Sequence, residues 1–241
     1  MQKVIGRLMV KYGQAAFERK SSLGEDTAQR LIETALELFA NHGFAGTSTR
    51  MLADKAQVNL SAIPYYFGGK EGLYRAAAEY IVAEIKKSIA PVLDKVNSAL
   101  ERSELPRELA LTLLCEVLDA FVATHVSGPN HWALFAAREE LNPTSVFDIL
   151  YDSVAYPIHI TSTKLVARIL DRPIDDPETL IRTTAIMGQV FIFQAARPTM
   201  LRRFGWSEFT DERIAMIQAV IHRQTSTMLL GRSSDLDRTG V

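Results

Sequence analysis

Apolar positions recur at helical spacing along nearly the whole chain. In the segment Thr27–Asn41, residues Ala28, Leu31, Ile32, Ala35, Leu38 and Phe39 fall at i, i+3, i+4 and i+7, a one-sided stripe that predicts a helix with a buried face. Gly43 is placed to end it, and Phe44 to fold back on the bundle. A short run follows from Ser48 or Thr49, either of which can cap it, through Met51, Leu52, Ala53 and Ala56, with Asp54 and Lys55 outward. Further helices are expected over Leu60–Phe67, Glu71–Ile89 with a kink or break near Pro91, Pro106–Val126, His131–Glu140 and Thr144–Leu170, the last bent by Pro157. Pro177 opens a helix to about Gln194, a short amphipathic piece reaches Phe204, and Thr210–Leu230 closes the series before Gly231. No stretch alternates with a period of two, and no repeat is visible. The expected fold is all-α.

Residues 47–73 carry the most information. Gln57-Val58-Asn59 breaks one short helix from the next, with Val58 plugging the gap and Asn59 or Ser61 capping the turn. A helix of the length Leu60–Phe67 is too short to stand alone, since isolated helices need ~12–15 residues. Leu60, Ile63 and Phe67 are therefore expected to pin it to its neighbours. That leaves Asn59, Ser61, Ala62, Pro64, Tyr65 and Tyr66 outward, groups suited to base edges, thymine methyls and phosphates. Pro64 is tolerable if it lies in the first turn. Gly68-Gly69 ends the helix, and Lys70 opens the next, where a lysine and free backbone N–H groups can grip a phosphate. Two short helices joined by a tight polar turn are the layout of a helix-turn-helix, which lays its second helix in the major groove of DNA.

The run ETALELFANHGFAGTSTRMLADKAQVNLSAIPYYFGGKEGLY, from Glu33 to Tyr74, resembles the TetR family of transcriptional regulators. Within it, YYFGGKEGL is specific to that family, and VNLSAIPYYFGGKEGLYRAA is similar to its CecR-type branch. The resemblance implies a three-helix head followed by a larger helical ligand-binding and dimerisation domain. It implies that Leu60–Phe67 is the recognition helix, that Thr49, Tyr66 and Lys70 meet phosphates, and that Ser61, Ala62 and Tyr65 lie near bases. Arg50, Asn59 and Pro64 complete the expected DNA-facing set. It also implies a repressor that binds a double-stranded operator as a homodimer and is released by a small-molecule effector.

Charge sharpens the picture. The net charge is −1, so the molecule is no generic polyanion binder. Up to Ala90 there are 12 Lys/Arg against 9 Asp/Glu, leaving 15 against 19 beyond it: a mildly basic head on an acidic body. Cys115 is the one cysteine, so no internal disulfide can form, and a reducing, cytoplasmic setting is expected. It reads as a small core residue first and as a redox sensor second. No run approaches the ~18 apolar residues of a membrane span, and the short stretch Val4–Val10, broken by Gly6 and Arg7, is not expected to serve as a signal peptide. The expected divisions are a polar arm or loose tail at 1–24, a head at 25–72, a helical body at 73–231 and a tail at 232–241.

In the body, Phe121, His125, Trp132, Phe135, Arg138, Tyr151, Tyr156, Phe191 and Gln194, with Glu139 and His159, are candidate lining for an apolar effector pocket. Any one of these aromatics is more often plain core. Filling such a pocket is expected to tilt the Glu71–Ile89 helix and alter the spacing of two DNA-binding heads. The faces Ala185, Ile186, Gly188, Gln189, Ile192, Phe193 and Ile217, Ile221, Met228 are candidates for a twofold interface, or for core within one chain. His125, His131 and Glu139 lack the compact spacing of metal ligands, so neither a metal nor a cofactor is expected. No phosphate loop, G-x-S-x-G elbow or H-E-x-x-H pair occurs, and no enzymatic activity is expected. The rival is a DNA-tethered protein-interaction module with no small-molecule inducer.

Overall fold

The computed structural model describes residues 14–102, 104–126 and 128–231, with side chains from residue 26 onward, His125 excepted. Every regular element among them is helical. The chain divides into two compact units, residues 1–80 and 81–241.

The first unit is built from α1 (Gln14–Gly46), α2 (Thr49–Ala56), α3 (Ala62–Phe67) and the start of α4 (Lys70–Leu100). α1 begins well before the expected Thr27, so residues 14–24 of the expected arm at 1–24 are helix rather than loose chain; residues 1–13 and the C-terminal tail at 232–241 lie outside the described residues. Gly43 adopts φ 73°, a left-handed conformation that interrupts α1 where the stop signal predicts. Leu31, Leu36, Phe39, Leu52, Ile63 and Leu73 are completely or almost completely enclosed, so every helix contributes to one small core. Phe39, Phe44 and Tyr74 form an aromatic cluster with centroids 4.7–6.0 Å apart. Ser48 is the cap of α2, its hydroxyl accepting from the Met51 N–H at 3.1 Å. Lys55 on α2 pairs with Glu37 on α1.

The second unit contains the rest of α4, then α5 (Arg107–Val126), α6 (Asn130–Leu141), α7 (Phe147–Leu150), α8 (Tyr156–Leu170), α9 (Pro177–Ala195), α10 (Arg197–Phe204) and α11 (Asp211–Leu230). α5, α8, α9 and α11 pack together around Leu114, Val117, Leu118, Leu165, Val166, Ile186, Val190, Ile217 and Ile221. Each such side chain contributes about 1.5–3 kcal/mol on burial. Arginines close helix ends that would otherwise leave carbonyls unpaired. Arg107 donates to the Leu229 carbonyl and Arg197 to that of Val126, both at 2.9 Å. α9 is capped by Asp176, which accepts from the Thr179 N–H at 3.0 Å, with Pro177 following.

Two prolines behave differently from expectation. Pro91 lies inside α4, which continues unbroken to Leu100. Pro157 does not merely bend a long helix. The turn before it, Tyr151–Ala155, widens to π-helix between α7 and α8. Proline lacks the N–H and crowds the carbonyl four residues back, and a widened turn relieves that crowding while shifting the register of the side chains before it.

Candidate DNA-reading head and effector cavity

The turn between α2 and α3 is fixed by its own residues. Asn59 Oδ1 accepts from both the Ser61 N–H at 2.9 Å and the Ser61 hydroxyl at 2.8 Å, and the Ala62 N–H returns to the Asn59 carbonyl at 2.9 Å. α3 has only six residues and is held to the core by Ile63, which is fully enclosed, and by half-buried Phe67. Leu60, expected to help, is 47% exposed, because α3 begins at Ala62 and Leu60 belongs to the turn.

Asn59, Ser61, Ala62, Tyr65 and Tyr66 come together as one wall of an open groove. Thr27 and Arg30 of α1, Gln57 and Val58 complete it, and motif reading placed none of these four at the DNA-facing surface. Only Arg30, four residues from Asp26 and paired with it at 3.5 Å, carried a sequence hint. Tyr65 is 65% exposed and stacks edge-on against Tyr66 at 4.8 Å. Thr49, Arg50 and Pro64 lie outside this groove: Arg50 and Pro64 are exposed, while Thr49 opens α2 half-buried.

Lys70 departs from expectation. Its ammonium does not face outward for a phosphate. It donates to the carbonyls of Phe44 at 2.9 Å and Thr47 at 3.0 Å, and lies 4.1 Å from the centre of the Phe44 ring. Thr47, buried beside it, sends its hydroxyl to the Gly43 carbonyl at 2.8 Å. The kink at Gly43 frees carbonyls at the end of α1, and Lys70 satisfies two acceptors in the following turn. This ties the α1–α2 turn to the first turn of α4.

Gly72 is the other constraint on that corner. A Cβ there would stand 1.8 Å from the Phe67 carbonyl oxygen, so the end of α3 can approach α4 only over a glycine. Gly72→Ala is expected to push the two apart, costing about 2 kcal/mol and weakening DNA binding. Thermal unfolding followed by circular dichroism, beside a mobility shift, checks this; a variant as stable as the parent would contradict the close approach.

The second unit encloses a cavity of about 130 Å³. Of the candidate residues, Phe121, Tyr151, Phe191 and Gln194 line it, with Glu139 and His159. Trp132, Phe135, Arg138 and Tyr156 do not. Phe135 faces the core, Arg138 faces solvent, and Tyr156 is 49% exposed, because the π turn rotates it off the lining face. The side chain of His125 lies outside the described residues. Sequence reading missed Ile81 and Ile85 on α4, Ala136 and Glu140 on α6, Phe147, Leu150, Val154, Ala155 and Ile158 around the π turn, and Met187 on α9. The signal available was an i, i+4 ladder, Phe147–Tyr151–Ala155–His159, running through the widened turn.

Glu139 is enclosed, with its carboxylate accepting from the Thr144 N–H at 2.9 Å and the Thr144 hydroxyl at 3.0–3.1 Å. Desolvation pushes the His159 imidazole below its ordinary pKa, partly opposed by Glu140. Cys115 is half-buried in α5. Burial, and then the Asp119 carboxylate, raise its thiol to about 11, so it stays protonated at neutral pH and is a poor redox sensor.

The twofold-interface candidates divide. Ile186, Ile217 and Ile221 are core residues of their own chain, whereas Ala185, Gly188 and Ile192 are exposed. With Ile181, they form a stripe at i, i+4, i+7 and i+11 on α9. α11, packed beside α9, exposes Met216, Ala219 and Val220. No helix among the described residues is long and apolar enough to cross a membrane.

A compact helical head with an exposed aromatic and polar recognition helix, joined in sequence to a helical domain containing a cavity, defines a helix-turn-helix transcriptional regulator. The chain belongs to the TetR family, with a C-terminal domain of the CecR type. Residues 31–77 match the model of bacterial regulatory proteins of the tetR family, and residues 110–232 that of the C-terminal domain of the HTH-type transcriptional dual regulator CecR. CecR of Shigella flexneri is 28% identical over 211 residues, covering 87% of this chain and 94% of that protein. The HTH-type transcriptional regulatory protein RaaS of Mycobacterium tuberculosis is 39% identical over 64 residues, 27% of this chain and 30% of its own. The fold is shared with HlyIIR, a hemolysin II transcriptional regulator, at TM-score 0.51 and 18% identity, over 82% of this chain and 97% of that one. It is also shared with AibR, solved with isovaleryl coenzyme A and operator DNA, at TM-score 0.59 and 14% identity, with the same coverage. These relatives are regulators, not enzymes.

Proposed function

We propose that this protein is a ligand-responsive repressor that binds a palindromic operator as a homodimer and leaves it when a small apolar or amphipathic effector fills the cavity of the second unit. The observation that carries the DNA reading is the groove wall of Asn59, Ser61, Ala62, Tyr65 and Tyr66, held in place by a hydrogen-bonded turn. The effector reading rests on the cavity, whose lining includes Ile81 and Ile85. Both belong to α4, the helix whose first residue, Lys70, anchors the α1–α2 turn. An effector that displaces α4 would be felt at its N-terminus, and so at the head. AibR, a protein of the same fold, was solved with isovaleryl coenzyme A and operator DNA, which supports a fold that takes both kinds of partner.

Selection of genomic fragments by the purified protein at stated salt, followed by a mobility shift on the enriched site, tests the reading. An enriched inverted repeat bound by two chains supports it. No enrichment over random DNA favours a DNA-tethered interaction module. Tyr65→Ala is expected to change the ranking of operator variants, at ~1–3 kcal/mol per base pair that Tyr65 reads. An equal loss on every variant would reassign Tyr65 to the backbone.

A further inference from the structure

We infer that the cavity of the second unit takes a small organic cation, an aryl or alkyl amine or quaternary ammonium, with Glu140 as its counter-charge. This rests on the effector reading above and narrows the chemistry of that site.

The lining settles the sign. Among the described residues no Lys or Arg lines the cavity, and the acidic groups in its wall are Glu139 and Glu140. Glu139 is enclosed and committed to the Thr144 N–H and hydroxyl, so it fixes the connection from α6 to α7 and adds negative potential from behind. Glu140 is exposed and belongs to the wall, and its charge is felt at His159, which puts its carboxylate on the cavity side of α6. The titratable imidazole of the wall, His159, has its pKa lowered by desolvation, so it is neutral near pH 7 and does not cancel those charges.

The lining also suits a cation in shape. Phe121, Phe147, Tyr151 and Phe191 present aromatic rings, whose faces attract ammonium groups. Phe147 and Tyr151 stack with centroids 5.8 Å apart. A carboxylate or phosphate ester would instead be brought beside two acidic residues, with no Lys or Arg among the described wall residues to receive it. The volume, about 130 Å³, limits the occupant to roughly the size of one ring with a short substituent.

The experiment is calorimetry of the full-length dimer with three probes of matched shape: phenyltrimethylammonium, its neutral isostere tert-butylbenzene, and benzenesulfonate as the anion. The cation is expected to bind at least about tenfold more tightly than the isostere, and the anion not to bind. Glu140→Gln is expected to weaken the cation about tenfold and leave the isostere unchanged. A Phe121→Ala variant, weakening both, checks that the site probed is this cavity.

Operator release is read separately by mobility shift. Cation binding that depends on Glu140 but does not release DNA leaves the present inference standing and removes the effector reading. Equal binding of cation and isostere, insensitivity to Glu140→Gln, preference for the anion, or no binding of any probe to the folded dimer overturns the inference.

Discussion

Lys70→Ala is expected to melt the DNA-binding head at a lower temperature without changing the salt dependence of the DNA binding that remains. The two carbonyls on which the ammonium rests, Phe44 and Thr47, lose it together, and Phe44 keeps only the long 3.4 Å bond from the Thr47 N–H. Hydrogen bonds to charged groups contribute ~1.5–3 kcal/mol each, and the ammonium also caps the Phe44 ring. Lys70 is half-buried, so part of that is recovered as water reaches the carbonyls, and a net loss of about 3 kcal/mol is expected. A head of this size has little reserve. The consequence for DNA follows from the folded fraction: apparent affinity falls on every sequence alike. A lysine that neutralised a phosphate would behave otherwise, since each such contact contributes ~0.9 to the slope of log affinity against log salt. Thermal unfolding together with binding at several salt concentrations separates the two. An unchanged melting temperature with a slope flattened by about one unit would return Lys70 to the phosphate backbone.

Lys70 also marks where the sequence stops being legible. Its position at the start of a helix after Gly68-Gly69 is that of a phosphate-binding residue, and nothing local distinguishes that role from an inward one. The difference arises 26 residues away, where the Gly43 kink leaves the Phe44 carbonyl within reach. The short-range features were readable. The apolar stripe of α1, the Ser48 cap, the Asn59 turn, enclosed Ile63 and exposed Tyr65 all follow from spacing and side-chain chemistry. The cavity was partly readable. Its aromatics stand out, but which of them face inward depends on the register of the π turn, and a period of 3.6 carried through Pro157 misplaces Tyr156. Ile81 and Ile85 were unreadable as lining, because on α4 they look like any other core positions. The α9 face failed for the same reason in reverse. Ile186 and Gly188 lie two residues apart on one apolar helix, and only packing shows that the first is core and the second is surface.

That surface sets the second large expectation. Ile181→Asp is expected to convert the dimer to monomer at micromolar concentration and to lower affinity for a palindromic site by more than about a hundredfold. Ile181 is 68% exposed and heads the stripe of Ala185, Gly188 and Ile192, while α11 beside it adds Met216 at 56% and Val220 at 41%. Apolar side chains aligned on two adjacent helices form a patch of the kind a twofold mate covers, and the small residues Ala185 and Gly188 allow helices to approach closely. A carboxylate at the head of that stripe would be buried against the apolar side chains of the mate with no cation to pair with it, which is strongly unfavourable. The single chain is expected to tolerate the change, because Ile181 makes no part of the enclosed core. Circular dichroism should therefore be unchanged while sedimentation reports half the mass. The loss on DNA then has a geometric origin: one six-residue recognition helix reads a half-site, and full affinity needs two such helices ~34–36 Å apart on one face of the duplex. Binding to an isolated half-site should be nearly the same for variant and parent, which separates lost pairing from a damaged head. A variant that remains dimeric, with palindrome binding intact, would move the twofold axis away from α9 and require another surface to align the two heads.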